Sequence, residues 1–153
     1  MAQLLREALK VRFYPYAESR GFVRDKSSHP HFTTFRRAHG AQIQVFDVQW
    51  DKYGRPLFVV NFGEADVHEL AIETDKVETQ HCKDMYRLQR KRGGSLTCWF
   101  QLSKPWIEVF RSGRLKYRPE EVVNQLVAYF PEVEAWWAEK SEGPHVHPVL
   151  RVG

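Results

Sequence analysis

The chain has 153 residues, 42% hydrophobic and 27% charged, with a formal net charge of +4, enough for one domain that buries roughly two-thirds of its unfolded surface. Ten Phe, six Tyr and five Trp argue against disorder, because a disordered chain lacks such apolar area. No run approaches the ~18 apolar residues of a bilayer span, the charged start MAQLLREALK lacks the apolar stretch of a signal peptide, and two cysteines, Cys82 and Cys98, make no disulfide scaffold and favour a reducing cytoplasm.

Ala2 to Ser19 reads as an amphipathic helix, with Leu5, Ala8, Leu9, Arg12, Phe13 and Tyr16 at helical spacing. Pro15 should kink its last turn, and Gly21 should stop it. Phe22 to Arg24 is a brief strand. A polar stretch over 25–31, with Ser27, Ser28 and Pro30, separates it from a strand at Phe32–Arg37. The turn Arg37-Ala38-His39-Gly40 joins that strand to Ala41–Trp50 as a hairpin. In Ala41–Trp50 the apolar face changes partway, from Ile43 and Val45 to Phe46, Val48 and Trp50, which predicts a bulge or twist near Val45–Phe46. Turn chemistry fills 51–56. Leu57–Phe62 (LFVVNF) is nearly continuous in apolar residues and suits a central strand covered on both faces.

The acidic stretch Glu64 to Glu78 has no period and reads as an excursion over the surface. Cys82 to Arg92 is a short helix or an irregular connection, ended by Gly93-Gly94. Leu96–Leu102 (LTCWFQL) is a further strand, and Ile107–Phe110 a short strand or turn. Arg118-Pro119-Glu120-Glu121 opens a helix with proline and acids in its first turn. Val122, Val123, Leu126, Val127 and Phe130 line one face of it. Pro131 interrupts, and Glu132–Glu139 resumes as a second helical piece. An irregular tail over 141–153 leaves a single domain at 1–140. The expected fold is α+β, an antiparallel sheet of about four to five strands with N-terminal and C-terminal helices packed on one face.

The net charge conceals an alternation: +5 over 1–60, −5 over 61–79, +8 over 80–118 and −4 over 119–153. Blocks of opposite sign screen one another in a fold, so the surplus points to nucleic acid only if the +8 block occupies one exposed face. Its densest cluster is Arg87, Arg90, Lys91 and Arg92; Arg111, Arg114, Lys116 and Arg118 form a second, with Tyr117 interleaved. Beside Trp50, Tyr53 and Trp106, these groups have the chemistry to hold a phosphate backbone and stack bases. Equally, they solvate loops and pair with the acidic 64–78 block.

Seven histidines invite a metal reading, and five stand near one another or a cysteine in sequence: His29 and His31 flank Pro30, His145 and His147 flank Val146, and His81 adjoins Cys82. A His-x-His pair in extended chain places both rings on one face, yet clustered cysteines and helical His-x3-His are both missing, so no metal or cofactor is expected. Cys98, in an apolar run, reads as a buried small hydrophobe, whereas Cys82, between His81 and Lys83, has a setting that can lower a thiol pKa. Trp136 and Trp137 point ~100° apart on a helix, so one is expected in the core and the other is a candidate interface anchor.

The helix leading into Arg20-Gly21-Phe22-Val23-Arg24, then Phe35-Arg36-Arg37, Ile43-Gln44, Trp50 and Phe58-Val59-Val60-Asn61-Phe62-Gly63, together resemble the bacterial family called domain of unknown function 4304. Trp99-Phe100 and Trp136-Trp137 fit it less sharply. The resemblance spans residues 4–140 and implies no catalytic residues; an immunity or accessory role beside toxins is what it suggests. The reading that follows is a non-enzymatic, cytoplasmic bacterial domain that binds another protein, such as a cognate toxin, and no membrane. Trp50, Arg87, Arg90, Lys91, Arg92, Trp136 and Trp137 are its candidate contacts, and the charge blocks at 64–78 and 80–118 would dock by complementarity. A nucleic-acid-binding protein using clusters 87–92 and 111–118 is the alternative. An enzyme is third, with His81, Asp84 and Arg87 as acid, base and oxyanion partner. The sequence leaves the oligomeric state open.

Overall fold

The structure is a computed structural model that describes residues 1–26 and 29–149; Ser27 and Ser28 of the polar stretch, and residues 150–153 of the tail, lie outside the described residues. Helix α1 (Ala2–Ser19) buries Leu5, Leu9, Phe13 and Ala17, a four-residue repeat that forms one apolar stripe. Pro15 sits on the exposed side, and the helix runs on to Ser19. Gly21 then turns the chain at φ +92, where a side chain would be strained.

Strands β1 (Val23–Arg24), β2 (Phe32–His39), β3 (Gln42–Trp50) and β4 (Leu57–Asp66) follow in sheet order. The far edge of β4 is shared: β5 (Tyr86–Leu88) pairs along Val60–Phe62, and β6 (Phe100–Gln101) pairs along Leu57–Phe58. Beyond β5 lies β7 (Val146–Pro148), and every pairing is antiparallel. Helix α2 (Val67–Leu70) follows β4, α3 (Trp106–Ser112) follows β6, and α4 (Pro119–Tyr129) and α5 (Pro131–Glu139) precede β7. The fold is α+β as expected, with α1, α4 and α5 contributing to one core on one sheet face. Among the described residues its sheet has seven strands; those beyond the expected number are two or three residues long.

No bulge interrupts β3. Its register with β4 runs from Gln42↔Asp66 to Trp50↔Phe58 without a skipped residue. The apolar residues change parity because both faces of β3 are covered. Phe46, Val48 and Trp50 enter the helix-side core, while Ile43 and Val45 pack on the other face against Val77 and Cys82 of the acidic excursion. In the helix-side core, Phe130 lies between α4 and α5, with the rings of Phe46 and Phe13 at 5.2 and 5.5 Å in edge-to-face contact. Arg37 ties β2 to α5, donating to Glu134 at 2.7 Å with its guanidinium 4.3 Å above the Phe22 ring.

Three local expectations change. Residues 96–102 open as a 3-10 turn (Leu96–Cys98), and only Phe100–Gln101 pair as strand. Residues 107–110 belong to α3, not to a strand. The tail is not wholly irregular: Val146 is fully buried and pairs with Leu88, so the domain reaches beyond 140.

Gly63 is the one strand glycine whose place is set by packing. A Cβ there would stand 2.7 Å from the Asp84 carbonyl oxygen and 2.8 Å from Cys82 Cβ, closer than van der Waals contact allows.

Candidate functional site

Side chains alternate across a strand, so β3 and β4 present Ile43, Val45, Asp47, Gln49, Val59, Asn61 and Ala65 away from the helices. Two small apolar clusters form there. One joins Ile43, Val45 and Ala65 to Val77 and Cys82; the other joins Leu57 and Val59 to Trp99. Between them runs a polar strip. Asn61 Nδ2 donates to Asp47 Oδ1 and to Gln49 Oε1, each at 2.8 Å, and Thr79 Oγ1 donates to Asp47 Oδ2 at 2.6 Å. Arg87 Nε donates to Asn61 Oδ1 at 2.9 Å, and its guanidinium lies 5.5 Å above the Trp99 ring. Asp47 is buried, and that burial pushes its carboxyl up from 3.8 to about 6 despite the bonds from Thr79 and Asn61 and the nearby Arg87 charge. Burial likewise lowers the Arg87 pKa. The strip floors a cleft of about 540 Å³ lined also by Phe32, Thr34 and Met85. Both Asp47 oxygens are already engaged, so the network's evident work is to hold the excursion, through Thr79, against the sheet.

The residues of the basic cluster 87–92 diverge. Arg87 enters the polar strip. Arg90 donates to the carbonyls of Thr97 at 2.9 Å and Ser103 at 2.6 Å; Arg92 does the same to Val146 at 2.9 Å. Lys91 is exposed. Two of the three guanidiniums are therefore spent on backbone carbonyls of the fold, groups that must find partners when buried.

The tryptophans expected as interface anchors are core residues. Trp50 is 3% exposed, against Phe58 and beneath Arg6. Trp136 packs on Tyr86 and Phe62, at 5% exposure. Trp137, at 6%, donates its indole N–H to the Gly63 carbonyl at 2.9 Å. Both rings of the pair are buried because α5 lies across β4 with Phe22 on one side and Tyr86 on the other.

The histidines do not converge. His29 Nδ1 accepts from the His31 amide, His81 Nδ1 accepts from the Glu78 amide, and His145 stacks on Tyr129 with Nδ1 2.5 Å from Glu132 Oε2. Among the described residues no group of three or more His, Cys, Asp or Glu is placed to hold a metal ion. His81 and Asp84 line a groove at the Asp66 end of β4, whereas Arg87 bonds within the polar strip. Both cysteines are buried.

Helix α3 joins Trp106 and the basic cluster 111–118, read from the sequence as a nucleic-acid surface, to exposed apolar residues not expected there. None of its residues is buried. Trp106 is 70% exposed, Ile107 48% and Phe110 83%, and Leu115 just beyond it is 73% exposed. The segment is nonetheless held in shape. Gly113 caps the helix in the left-handed region, the Ser103↔Lys116 bridge closes its base, Tyr117 N donates to Leu102 O at 2.7 Å, and the Tyr117 hydroxyl donates to Glu108. Burial, then the Glu108 carboxylate, push the Tyr117 hydroxyl up to about 12. Arg111, Arg114 and Lys116 are exposed around the apolar residues. A signal was present in the sequence: Pro105 before Trp106, Phe110 one turn on, and Gly113 as a stop. Among the described residues no helix is long and apolar enough to cross a membrane. Comparison with protein-family models, with curated proteins and with solved structures found no match in any of the three.

Proposed function

We propose that this chain is a protein-binding domain whose docking element is α3. One observation carries the reading: Trp106, Ile107, Phe110 and Leu115 stand exposed together on a segment braced at its base. Covering one such side chain is worth on the order of 1.5–3 kcal/mol, and Trp is enriched among residues that dominate interfaces. The spacing of Trp106 and Phe110 is that of a helix laid into a groove. This replaces Trp50, Trp136 and Trp137 as anchors and keeps the expectation that binding, rather than catalysis, is the activity. If the partner is a cognate toxin, the domain serves the immunity or accessory role that its resemblance to domain of unknown function 4304 implies.

The test places a photoreactive phenylalanine analogue at position 110 and cross-links in lysate of the source species, with and without nuclease. Nuclease-resistant cross-links to protein, abolished by Trp106→Ala, support the reading. Cross-links to nucleic acid, lost on nuclease treatment and on raising salt, would instead establish the alternative based on the basic clusters.

A further inference from the structure

Resting on α3 as the docking element, we infer that its occupant is a second copy of this chain: the basic, apolar α3 segment of one molecule seats in the acidic groove at the Asp66 end of β4 in the next.

The groove has about 650 Å³; Leu70 and Tyr86 are its accessible apolar lining, while Trp136 beneath is buried with the Lys140 ammonium 4.5 Å above its ring. Its rim carries Glu64, Asp66, Glu69 and Asp84 against Lys83 and Lys140. Lys140 is already paired with Glu64 at 2.6 Å, and Asp66 is occupied in capping α2. Glu69 and Asp84 are exposed and have no ion pair among those described. Residues 104–118 carry five cations against the single acid Glu108. Arg114 and Arg118 share Glu121 and Lys104 donates to Ser112, which leaves Arg111 and Lys116, beside Phe110 and Leu115, as cations with no ion pair among those described. Knob and groove thus match chiefly in charge, a cationic segment against an anionic rim, with Leu70 and Tyr86 to meet the apolar rings.

The topology decides between an intramolecular and an intermolecular contact. The chain leaves β6 at the Leu57 end of β4 and enters α3 five residues later, while the groove lies at the Glu64–Asp66 end. The two ends are on the order of 25 Å apart along the strand, so α3 cannot fill the groove of its own molecule. A contact between two different patches is heterologous; it leaves a free knob and a free groove at the ends and so extends into a ring or an open chain rather than closing as a two-fold dimer.

The experiment uses the purified full chain in sedimentation and light scattering over a wide concentration range. The wild type is expected to grow in mass beyond a dimer as concentration rises and to shrink as salt rises. Phe110→Asp, which disables the knob, and the double variant Glu69→Lys/Asp84→Lys, which disables the groove, are each expected to be monomeric with unchanged melting temperature. Their equimolar mixture should form a dimer that does not extend, because one partner supplies only the groove and the other only the knob. A wild type that stays monomeric throughout, or a mixture that stays monomeric, overturns the inference. If the monomer still cross-links to another protein through position 110, docking by α3 stands and only the second copy as occupant is lost.

Discussion

Replacing Asp47 by Asn should stabilise this protein at neutral pH, although it removes a buried, fully bonded carboxylate. The carboxyl titrates at about 6 in the fold against 3.8 in the reference state, a difference worth about 3 kcal/mol at 1.36 kcal/mol per unit. The sign follows from linkage. Between roughly pH 4 and pH 6 the folded chain holds the proton more tightly than the unfolded chain. Asp47 therefore contributes most favourably below about pH 4, and that contribution is lost as pH rises through about 6. Asparagine keeps the geometry: its Oδ1 accepts from Asn61 Nδ2, and its Nδ2 donates to Thr79 Oγ1, whose hydroxyl turns to accept. It carries no charge to desolvate. Denaturant unfolding of both proteins across pH 4 to pH 8 reads the effect as a difference between curves, so the titration of other carboxylates cancels. The variant should be more stable by up to about 3 kcal/mol near pH 8, with the two converging near pH 4. A variant that is less stable than wild type near pH 8 would show that the bonds from Thr79 and Asn61 outweigh burial, and the electrostatic reasoning would be wrong.

Asp51 should behave in the opposite sense. Arg55, hydrogen-bonded to it at 2.8 Å, holds its carboxyl down to about 2, so its contribution is present above about pH 4 and lost as pH falls towards 2; Asp51→Asn should flatten that acid limb in a pH series of thermal melts. Gly63→Ala should destabilise by on the order of 1–3 kcal/mol, read as a fall in denaturation midpoint at unchanged slope, because Asp84 and Cys82 already touch the space its methyl would take. Trp137→Phe leaves the Gly63 carbonyl without its indole donor and should cost about 1–3 kcal/mol. Phe110→Ala should leave stability within about 0.5 kcal/mol of wild type; a larger loss in the same unfolding assay would mean that α3 packs on the body of the domain.

Most of the fold was legible because its larger elements carry their period in their own residues. The four-residue repeat from Leu5 to Ala17, the His39-Gly40 turn and the continuous LFVVNF run each specify local structure before any long-range contact forms. Pro131 similarly marks the break between α4 and α5 at the place where the structure has it. The short strands have no such signature. Val146–Pro148 pairs with Tyr86–Leu88, some sixty positions away in sequence, and a three-residue stretch has too few alternations to declare a face. Parity misled at β3 for a related reason. A change of apolar face reads as a bulge when one side is assumed wet, and nothing in residues 42–50 announces that Val77 and Cys82 will cover the other side.

The candidate contacts were harder to read, because a side chain's type does not say whether the fold has used it. Tryptophan and arginine are the residues that interfaces favour, and they are also the ones this core and its loops consume. Trp137 bonds a strand carbonyl, Arg90 bonds the Thr97 carbonyl, Arg92 bonds the Val146 carbonyl of β7, and Arg87 completes a network centred on Asn61. A cluster in sequence thus disperses once each guanidinium finds its own oxygen, side-chain for Arg87 and backbone for Arg90 and Arg92. Helix α3 shows the converse. Its apolar residues are ordinary in type and few in number, but the Ser103↔Lys116 bridge closes the segment on itself before it can pack on the sheet. Trp106 and Phe110 are left 5.8 Å apart, 70% and 83% exposed. Pro105 and Gly113 mark the helix in the sequence, but that its apolar residues stay exposed is decided by the closed loop, in the tertiary structure.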